Sequence, residues 1–304
     1  MADKVEIRIL VDNYIDIFLP PSDAASYPVP GEASQLWAEQ GFSLWIEVSK
    51  KGQSIKILYD FGRSNQVLLR NAEILGLDLR RLDFLVLSHG HVDHYGCLSQ
   101  VLKKTGKRCK LIIHPDAYGR KRYIRLKDGS YIGPWELDRK IIEEFSSRVC
   151  VSAHPSDLGF GVYVSGGIRR KNDFEVGMPN AFVEIDGQIV HDEIQDDQSI
   201  FIELESKGIV VLTGCCHAGV VNTLMYAREM FPRQRIYALI GGLHLNNISE
   251  TQMQQTINCL SQLGISYLSG LHCTGYYAQR ILMQEFNEAW IPGAVGAKIT
   301  FVSN

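Results

Sequence analysis

Four side chains of metal-ligating type lie within six residues, directly after an apolar run. Residues 84–87 are all apolar and predict a buried strand. His89 and His91 are two residues apart, so an extended segment can direct both imidazoles at one point. Asp93 and His94 follow where the chain turns, and they can reach a second point nearby. Such ligands suit zinc or another divalent cation, and their number predicts a pair of cations.

The alternative interpretation is a polar loop that holds three of the nine histidines of the chain. Packing three imidazoles and a carboxylate together costs desolvation free energy unless a cation or water binds them. The spacing H-x-H-x-D-H at the end of an apolar strand therefore favours a metal site over this alternative.

Residues 89–94, with the sequence His-Gly-His-Val-Asp-His, resemble the signature of the metallo-β-lactamase superfamily. This resemblance implies an α/β fold, the metallo-β-lactamase-type αββα four-layer sandwich, with an inserted cap region. It also implies a hydrolase with one or two metals that acts on an ester, lactam, thioester or phosphoester.

The resemblance extends the ligand set to the ends of later strands. It implies that His217 joins His89 and His91 around one metal, and that His272 joins Asp93 and His94 around the other. Zinc is the expected metal, with manganese, iron and magnesium as alternatives. A metal-bound hydroxide would then attack an ester or phosphoester, with Asp93 as a catalytic residue.

Three further residues are candidates for roles in the site, the first two from the resemblance and the third from its place at a strand end. Asp60 follows a predicted strand and would lie beneath the metals, orienting a ligand histidine; a simple turn aspartate is the alternative. Cys215 occupies the place of a metal-bridging aspartate in many relatives, as a ligand or a neighbour. His244 would be a ligand, a general acid or a group that binds the leaving oxygen, and the alternative is a hydrogen-bonded core histidine.

The elements that must position these residues form two similar halves around a looser middle region. Predicted strands and helices alternate in the order strand 5–11, hairpin 42–48 and 55–59, helix 64–75, the motif strand, helix 97–104, strand 111–113, hairpin 199–203 and 208–212, strand 236–240, helix 249–262, strand 265–271 and strand 291–302.

The middle region, about residues 118–178, is predicted to be an insertion over the active site within a single domain of residues 1–304. It contains a predicted polar helix at 134–148. Arg169 and Arg170 are expected to bind a phosphate or carboxylate of the substrate, and a solvated charge run is the alternative. Where relatives place a metal-binding histidine before the second hairpin, this chain offers His191 or the Asp196–Asp197 pair.

Composition limits the class of protein. The 304 residues carry 31 basic and 34 acidic side chains, a formal net charge of −3, which argues against general nucleic-acid binding. We expect no secretory signal peptide and no membrane span. The seven cysteines are scattered and suggest no disulfide framework, which favours a cytoplasmic protein. The oligomeric state is not predicted.

Four segments of the chain together resemble the branch of the superfamily that contains the 7,8-dihydropterin-6-yl-methyl-4-(β-D-ribofuranosyl)aminobenzene 5'-phosphate synthases. They are residues 39–44, 213–223, 241–245 and 272–275. The resemblance implies a small-molecule substrate that is phosphorylated or otherwise anionic. Hydrolysis is the first expectation. The alternative is a transferase that joins a dihydropterin-methyl diphosphate to an arylamine ribose 5'-phosphate and releases pyrophosphate. The third is a non-catalytic metal or ligand sensor.

Overall fold

The computed structural model describes residues 1–303, which form eighteen strands and eight α-helices. The strands are β1 (Lys4–Val11), β2 (Ala25–Ser26), β3 (Ser43–Lys50), β4 (Gln53–Tyr59), β5 (Phe84–Val86), β6 (Lys110–Ile113), β7 (Arg122–Arg125), β8 (Tyr131–Trp135), β9 (Val149–Val151), β10 (Ser156–Gly159), β11 (Val162–Val164), β12 (Ala181–Ile185), β13 (Gln188–His191), β14 (Ile200–Leu204), β15 (Gly208–Thr213), β16 (Ile236–Gly242), β17 (Tyr267–Leu271) and β18 (Lys298–Val302).

The helices are mostly short. They are α1 (Pro30–Ala33), α2 (Val67–Ile74), α3 (Val92–Tyr95), α4 (Leu98–Lys104), α5 (Arg139–Glu144), α6 (Val220–Met230), α7 (Glu250–Leu263) and α8 (Tyr276–Glu285). The capping box that the sequence indicates is present. The Ser249 side chain accepts a hydrogen bond from the Gln252 amide, and the Gln252 side chain accepts one from the Ser249 amide. No helix within residues 1–303 is long and apolar enough to cross a membrane.

Two large sheets form the middle of the molecule. One has the strand order β2-β18-β1-β3-β4-β5-β6-β9, and the other has the order β10-β11-β14-β15-β16-β17. β4, β5 and β6 run parallel in the first sheet, and β15, β16 and β17 run parallel in the second. The carboxyl ends of parallel neighbours meet at one edge of a sheet, so the residues after these strands are brought together.

Three apolar clusters separate the layers. The first lies between the sheets and contains residues of both, such as Ile46 and Val210. The second covers the outer face of the first sheet with residues of α2, α4 and α5. The third covers the outer face of the second sheet with residues of α6, α7 and α8. This is the αββα sandwich that the resemblance in the sequence implies.

The predicted insertion at 118–178 is distributed over three sheets. β7 and β8 lie in a small third sheet of order β13-β12-β7-β8, which we call the cap sheet. β9 returns to the first large sheet, and β10 and β11 belong to the second. The cap sheet also includes β12 and β13, which lie beyond the predicted boundary.

One helix prediction in this region is partly wrong. The helix expected at 134–148 forms only over Arg139–Glu144, because Asp138 caps it through the Lys140 amide. Pro134 lies instead in strand β8. Proline lacks an amide hydrogen and is tolerated in such an edge strand of the cap sheet.

Candidate metal centre

The six ligand residues that the sequence indicates follow the carboxyl ends of strands in both large sheets. The first four follow β5: His89 and His91 lie in the extended turn, and Asp93 and His94 lie in α3. His217 follows β15, and His272 follows β17. The structure brings all of them together in two groups, within which the ligand atoms lie within 4.8 Å of one another: His89, His91 and His217, and Asp93, His94 and His272.

Three imidazole nitrogens converge in the first group. His89 Nε2 lies 3.0 Å from His91 Nδ1 and 3.2 Å from His217 Nε2. In tetrahedral coordination, zinc–nitrogen bonds of about 2.0–2.1 Å place neighbouring nitrogens about 3.3 Å apart. The spacing of these atoms therefore fits a shared cation.

The protonation of the first group also fits a cation. Burial, reinforced by neighbouring imidazoles, lowers the pKa of His89 and the pKa of His217 well below the usual value, so both rings are neutral. Neutral imidazole is the form that binds metals. Within residues 1–303, the buried His217 Nδ1 has no hydrogen-bond partner.

Asp60 connects the two groups from below. Its Oδ2 lies 2.7 Å from His94 Nδ1 and accepts from the Ser88 hydroxyl at 2.7 Å. The same hydroxyl lies 2.8 Å from His89 Nδ1 and, since it donates to Asp60, it accepts from that ring. Both histidines thus carry a proton on Nδ1 and present Nε2 to the centre. Asp60 occupies the position that the resemblance implies.

The second group combines carboxylate and imidazole. His272 Nε2 lies 3.4 Å from Asp93 Oδ2, and although it is buried, no described residue forms a hydrogen bond with it. His272 Nδ1 lies 3.0 Å from Asn13 Oδ1, which fixes its proton there and leaves the Nε2 lone pair for a ligand. Burial disfavours charge on His94, but the Asp60 carboxylate raises the pKa of His94 to about 9. A metal cation bound to His94 would balance the negative charge of Asp60 in place of that proton.

Cys215 lies between the groups, with its Sγ 3.1 Å from His94 Nε2. His244 lies beside it at the end of β16, and its ring centroid is 4.4 Å from that of His217. The backbones of Asp60, His244 and His272 all have positive φ values of 62°, 45° and 45°. Such conformations are strained for residues other than glycine and cluster at functional sites.

The segment before β14 positions the ligand loops and supplies no ligand to either group. Asp196 Oδ2 accepts from the Gly90 amide at 2.7 Å, and Asp197 Oδ2 accepts from the Ala218 amide at 2.8 Å. His191 is exposed, and its ring contacts Glu193 and the Met178 carbonyl. Neither His191 nor the Asp196–Asp197 pair is therefore a ligand in the two groups.

A pocket of about 220 Å³ opens above the centre. Its floor includes ligand residues, and its wall is formed by residues of the cap sheet, among them Trp135 and Phe182. Arg63 and Arg122 also line it. Arg122 is buried and its Nη1 has no hydrogen-bond partner up to residue 303, where the described chain ends, although Nη2 donates to Asp196 at 2.7 Å. This site combines cation-binding ligands, an aromatic wall and two guanidinium groups.

Arg169 and Arg170 lie along a separate surface groove. The Arg170 guanidinium donates to the His217 carbonyl at 3.0 Å and to the Glu193 carbonyl at 2.8 Å. Arg170 therefore contacts the backbone of the ligand residue His217. The role of both arginines in substrate binding stays a prediction.

Four residues of the centre were missed at the level of sequence, namely Asn13, Ser88, Arg122 and Cys273. Only Cys273 carried a usable signal, since a second thiol directly after His272 at a strand end is a potential ligand. The others act through contacts between residues far apart in the chain.

Comparisons with known proteins agree with this geometry. The sequence model of the Metallo-beta-lactamase superfamily matches residues 37–168. The chain is 29% identical to the 7,8-dihydropterin-6-methyl-4-(beta-D-ribofuranosyl)-aminobenzene-5'-phosphate synthase of Methanocaldococcus jannaschii, over 91% of this chain and 93% of that protein. It is 30% identical to the uncharacterized protein MJ0448 of the same organism, over 95% of this chain and 98% of that one.

Among solved structures, the fold is similar to that of Tm1679, a metal-dependent hydrolase of the beta-lactamase superfamily. The TM-score is 0.75 at 24% identity, and the match covers 98% of this chain and 100% of that chain. These similarities, and the ligand residues gathered at the strand ends, show that the chain belongs to the metallo-β-lactamase superfamily.

Proposed function

We propose that this protein is a metal-dependent hydrolase that cleaves an ester or phosphoester bond in an anionic small molecule. The observation that carries the proposal is the convergence of lone-pair nitrogens from His89, His91 and His217 beside the second group of ligands. When bound there, divalent cations would supply an activated water and a Lewis acid for a substrate oxygen.

The protein's own side chains orient the ligand histidines and exclude water from part of the pocket. Asp60 and Asn13 fix the ring tautomers of His94 and His272, so their Nε2 atoms need no rearrangement to bind a cation. Arg63 and the unpartnered Nη1 of Arg122 favour an anionic group on the substrate. The aromatic side chains of the cap sheet exclude water from one side of the pocket.

His244 is the proposed general acid. It lines the pocket, and its buried Nδ1 has no hydrogen-bond partner in the part of the chain that the structure describes. Burial lowers its pKa, but contact with Cys273, together with the charges of Asp197 and Asp93, leaves the pKa of His244 above the usual value. A proton on this ring would pass to the departing oxygen of the substrate.

The experiment compares two phosphodiesters or esters that differ in the leaving group. His244→Asn should lower kcat about 10²–10⁴-fold for a poor alkoxide leaving group, which needs a proton. The substitution should have little effect on kcat for a substrate with a nitrophenolate leaving group, which departs without a proton. Equal losses for both leaving groups would overturn the role of His244, and no turnover of any ester or phosphoester by the metal-loaded wild type would overturn hydrolysis.

A transferase is the second candidate, because the similarity to the dihydropterin-methyl-ribofuranosylaminobenzene phosphate synthase covers nearly the whole chain. In that case the cations would bind the diphosphate of the donor, and a cationic residue would bind the phosphate of the acceptor. Incubation with a dihydropterin-methyl diphosphate and an arylamine ribose 5'-phosphate distinguishes the two. A coupled product with pyrophosphate indicates transfer, whereas hydrolysis of the diphosphate without coupling contradicts it.

Tight ligand binding without either reaction would favour a sensor.

A further inference from the structure

A second thiol lies at the His272 end of the centre. Cys215 Sγ, Cys273 Sγ and a ring nitrogen of His272 all lie within 4.8 Å of one another. Both cysteines are buried, with 3% and 7% of their surfaces exposed, and both line the pocket above the centre. The three potential ligand atoms come from the ends of two strands, β15 and β17, that are separated by β16.

Gly242, the last residue of β16, has no side chain and so leaves space for this arrangement. A Cβ atom at Gly242 would lie 2.7 Å from Cys273 Sγ and 2.2 Å from the Gly214 carbonyl oxygen. Any side chain there would displace the thiol or the loop that carries Cys215. Glycine at this position therefore permits the two sulfurs to share one space.

Other cysteines of the chain show what an ordinary packed thiol does. Cys216 is adjacent to Cys215, but its Sγ lies 3.3 Å from Thr223 Oγ1 and its side chain belongs to the apolar cluster beneath α6. Cys109 lies in the apolar cluster beneath α4. Cys215 and Cys273, in contrast, face imidazoles.

An independent observation indicates a missing ligand at the same place. His272 Nε2 is buried and has no hydrogen-bond partner among the described residues 1–303, while Asn13 holds the proton on Nδ1. A buried acceptor without a partner is costly, and a cation removes that cost. The residue that carries this nitrogen, His272, shares one cluster with the two thiols.

We propose that Cys215 and Cys273 both bind the cation at the His272 position as thiolates, so that this position has a sulfur-rich donor set. The inference rests on the metal centre of the proposed function, but it concerns which metals the centre accepts. Thiolates select zinc, iron or cobalt over magnesium and manganese, which prefer oxygen ligands. The protein should therefore bind the former metals in the presence of an excess of magnesium.

The competing explanation is a protonated thiol with a structural role. Cys273 Sγ lies 3.4 Å from the Cys215 carbonyl oxygen and can donate a weak hydrogen bond to it. In that arrangement no thiolate would contact a metal. Spectroscopy of the metal-loaded protein distinguishes the two explanations without reference to turnover.

The experiment loads the metal-free chain with Co²⁺ and records its absorption spectrum. Thiolate ligands produce intense sulfur-to-cobalt charge-transfer absorption in the near ultraviolet, whereas nitrogen and oxygen ligands do not. Cys215→Ser and Cys273→Ser should each remove about half of this absorption, since each removes one of two thiolates. Cys216→Ser is the matched control, and it should retain the full absorption.

X-ray absorption of the zinc-loaded wild type provides a test that needs no variant. It should show sulfur scatterers at about 2.3 Å from zinc, the usual zinc–thiolate distance. Cobalt binding without charge-transfer absorption, or zinc with only nitrogen and oxygen neighbours, would overturn the inference and leave the proposed hydrolase intact. Full absorption in Cys273→Ser would exclude Cys273. Failure to bind either metal would contradict the proposed function as well.

Discussion

At the scale of single residues, Asp60 organises the centre more than any ligand does. One buried carboxylate accepts from the Ser88 amide, from the Ser88 hydroxyl and from His94 Nδ1. Through the Ser88 hydroxyl it also controls His89, a ligand of the other group. Its left-handed backbone, with φ of 62°, brings the side chain back beneath the ligand loop.

We predict that Asp60→Asn lowers the affinity for zinc about 10–100-fold, the usual effect of removing a carboxylate that orients a ligand histidine. Asparagine has nearly the same shape and tolerates positive φ, so the fold should persist. Competition with a chelating dye measures the affinity. Asp78→Asn, which alters a surface pair with Arg80, is the control and should leave it unchanged. Equal zinc affinity in Asp60→Asn and the wild type would contradict the role assigned to Asp60.

At the scale of elements, the centre depends on strand ends that meet at one edge. The sequence predicts most of these strands, because the apolar runs before Asp60, His89, Cys215, His244 and His272 are plain. It also predicts which histidines gather there, because the motif resembles that of a known superfamily.

Contacts between distant segments could not be predicted in the same way. Asn13 reaches His272 from the end of β1, a separation of 259 residues, and nothing in its local sequence indicates that contact. The cap sheet was missed for a related reason. Its strands contain Pro134 and charged residues. Its two hairpins, β7–β8 and β12–β13, are joined by a pairing between β7 and β12, in which Ala181 lies opposite Ile124, more than fifty residues earlier in the chain. The Arg139–Glu144 helix is shorter than its polar pattern suggests, since that pattern continues into strand β8.

Gly90 shows how closely the elements are packed around the ligand loop. A Cβ atom there would lie 2.3 Å from the Ala117 carbonyl oxygen and 2.9 Å from its carbon, and both are backbone atoms that cannot move aside alone. Gly90→Ala should lower the free energy of unfolding by about 1–3 kcal/mol, as overpacking usually does. Because Gly90 lies between His89 and His91, zinc affinity should fall with it.

Denaturant unfolding and zinc titration of the same samples check this prediction. Gly31→Ala is the matched control, because a Cβ atom at Gly31 meets nothing within 4 Å. The control should change the free energy of unfolding by less than about 1 kcal/mol, the range of a glycine-to-alanine change in a helix. A Gly90→Ala protein as stable as the control would show that the loop has more room than the structure indicates.

At the scale of the whole molecule, Arg122 joins the cap sheet to the metal centre. It lies in β7 and is almost fully buried, with contacts to Asp196 at 2.7 Å and to Asp192 at 3.3 Å. Asp196 in turn accepts from the Gly90 amide in the ligand loop. One ionic network therefore links the cap, the segment before β14 and the first metal position.

Arg122→Met should lower the free energy of unfolding by about 3–5 kcal/mol, because it leaves buried carboxylates without their cation. Arg125→Met is the control from the same strand, where the side chain is exposed and lies 5.9 Å from the Phe182 ring. It should change stability by no more than about 0.5 kcal/mol. Denaturant unfolding measures both variants, and similar small effects in the two would contradict the network.

The central claim is that strand ends of both sheets bind a pair of divalent cations, and metal content tests it most directly. Elemental analysis of anaerobically purified protein should find two zinc-type ions per chain, with one lost in His89→Ala and the other lost in His272→Ala. A full complement of metal in both variants would contradict the account.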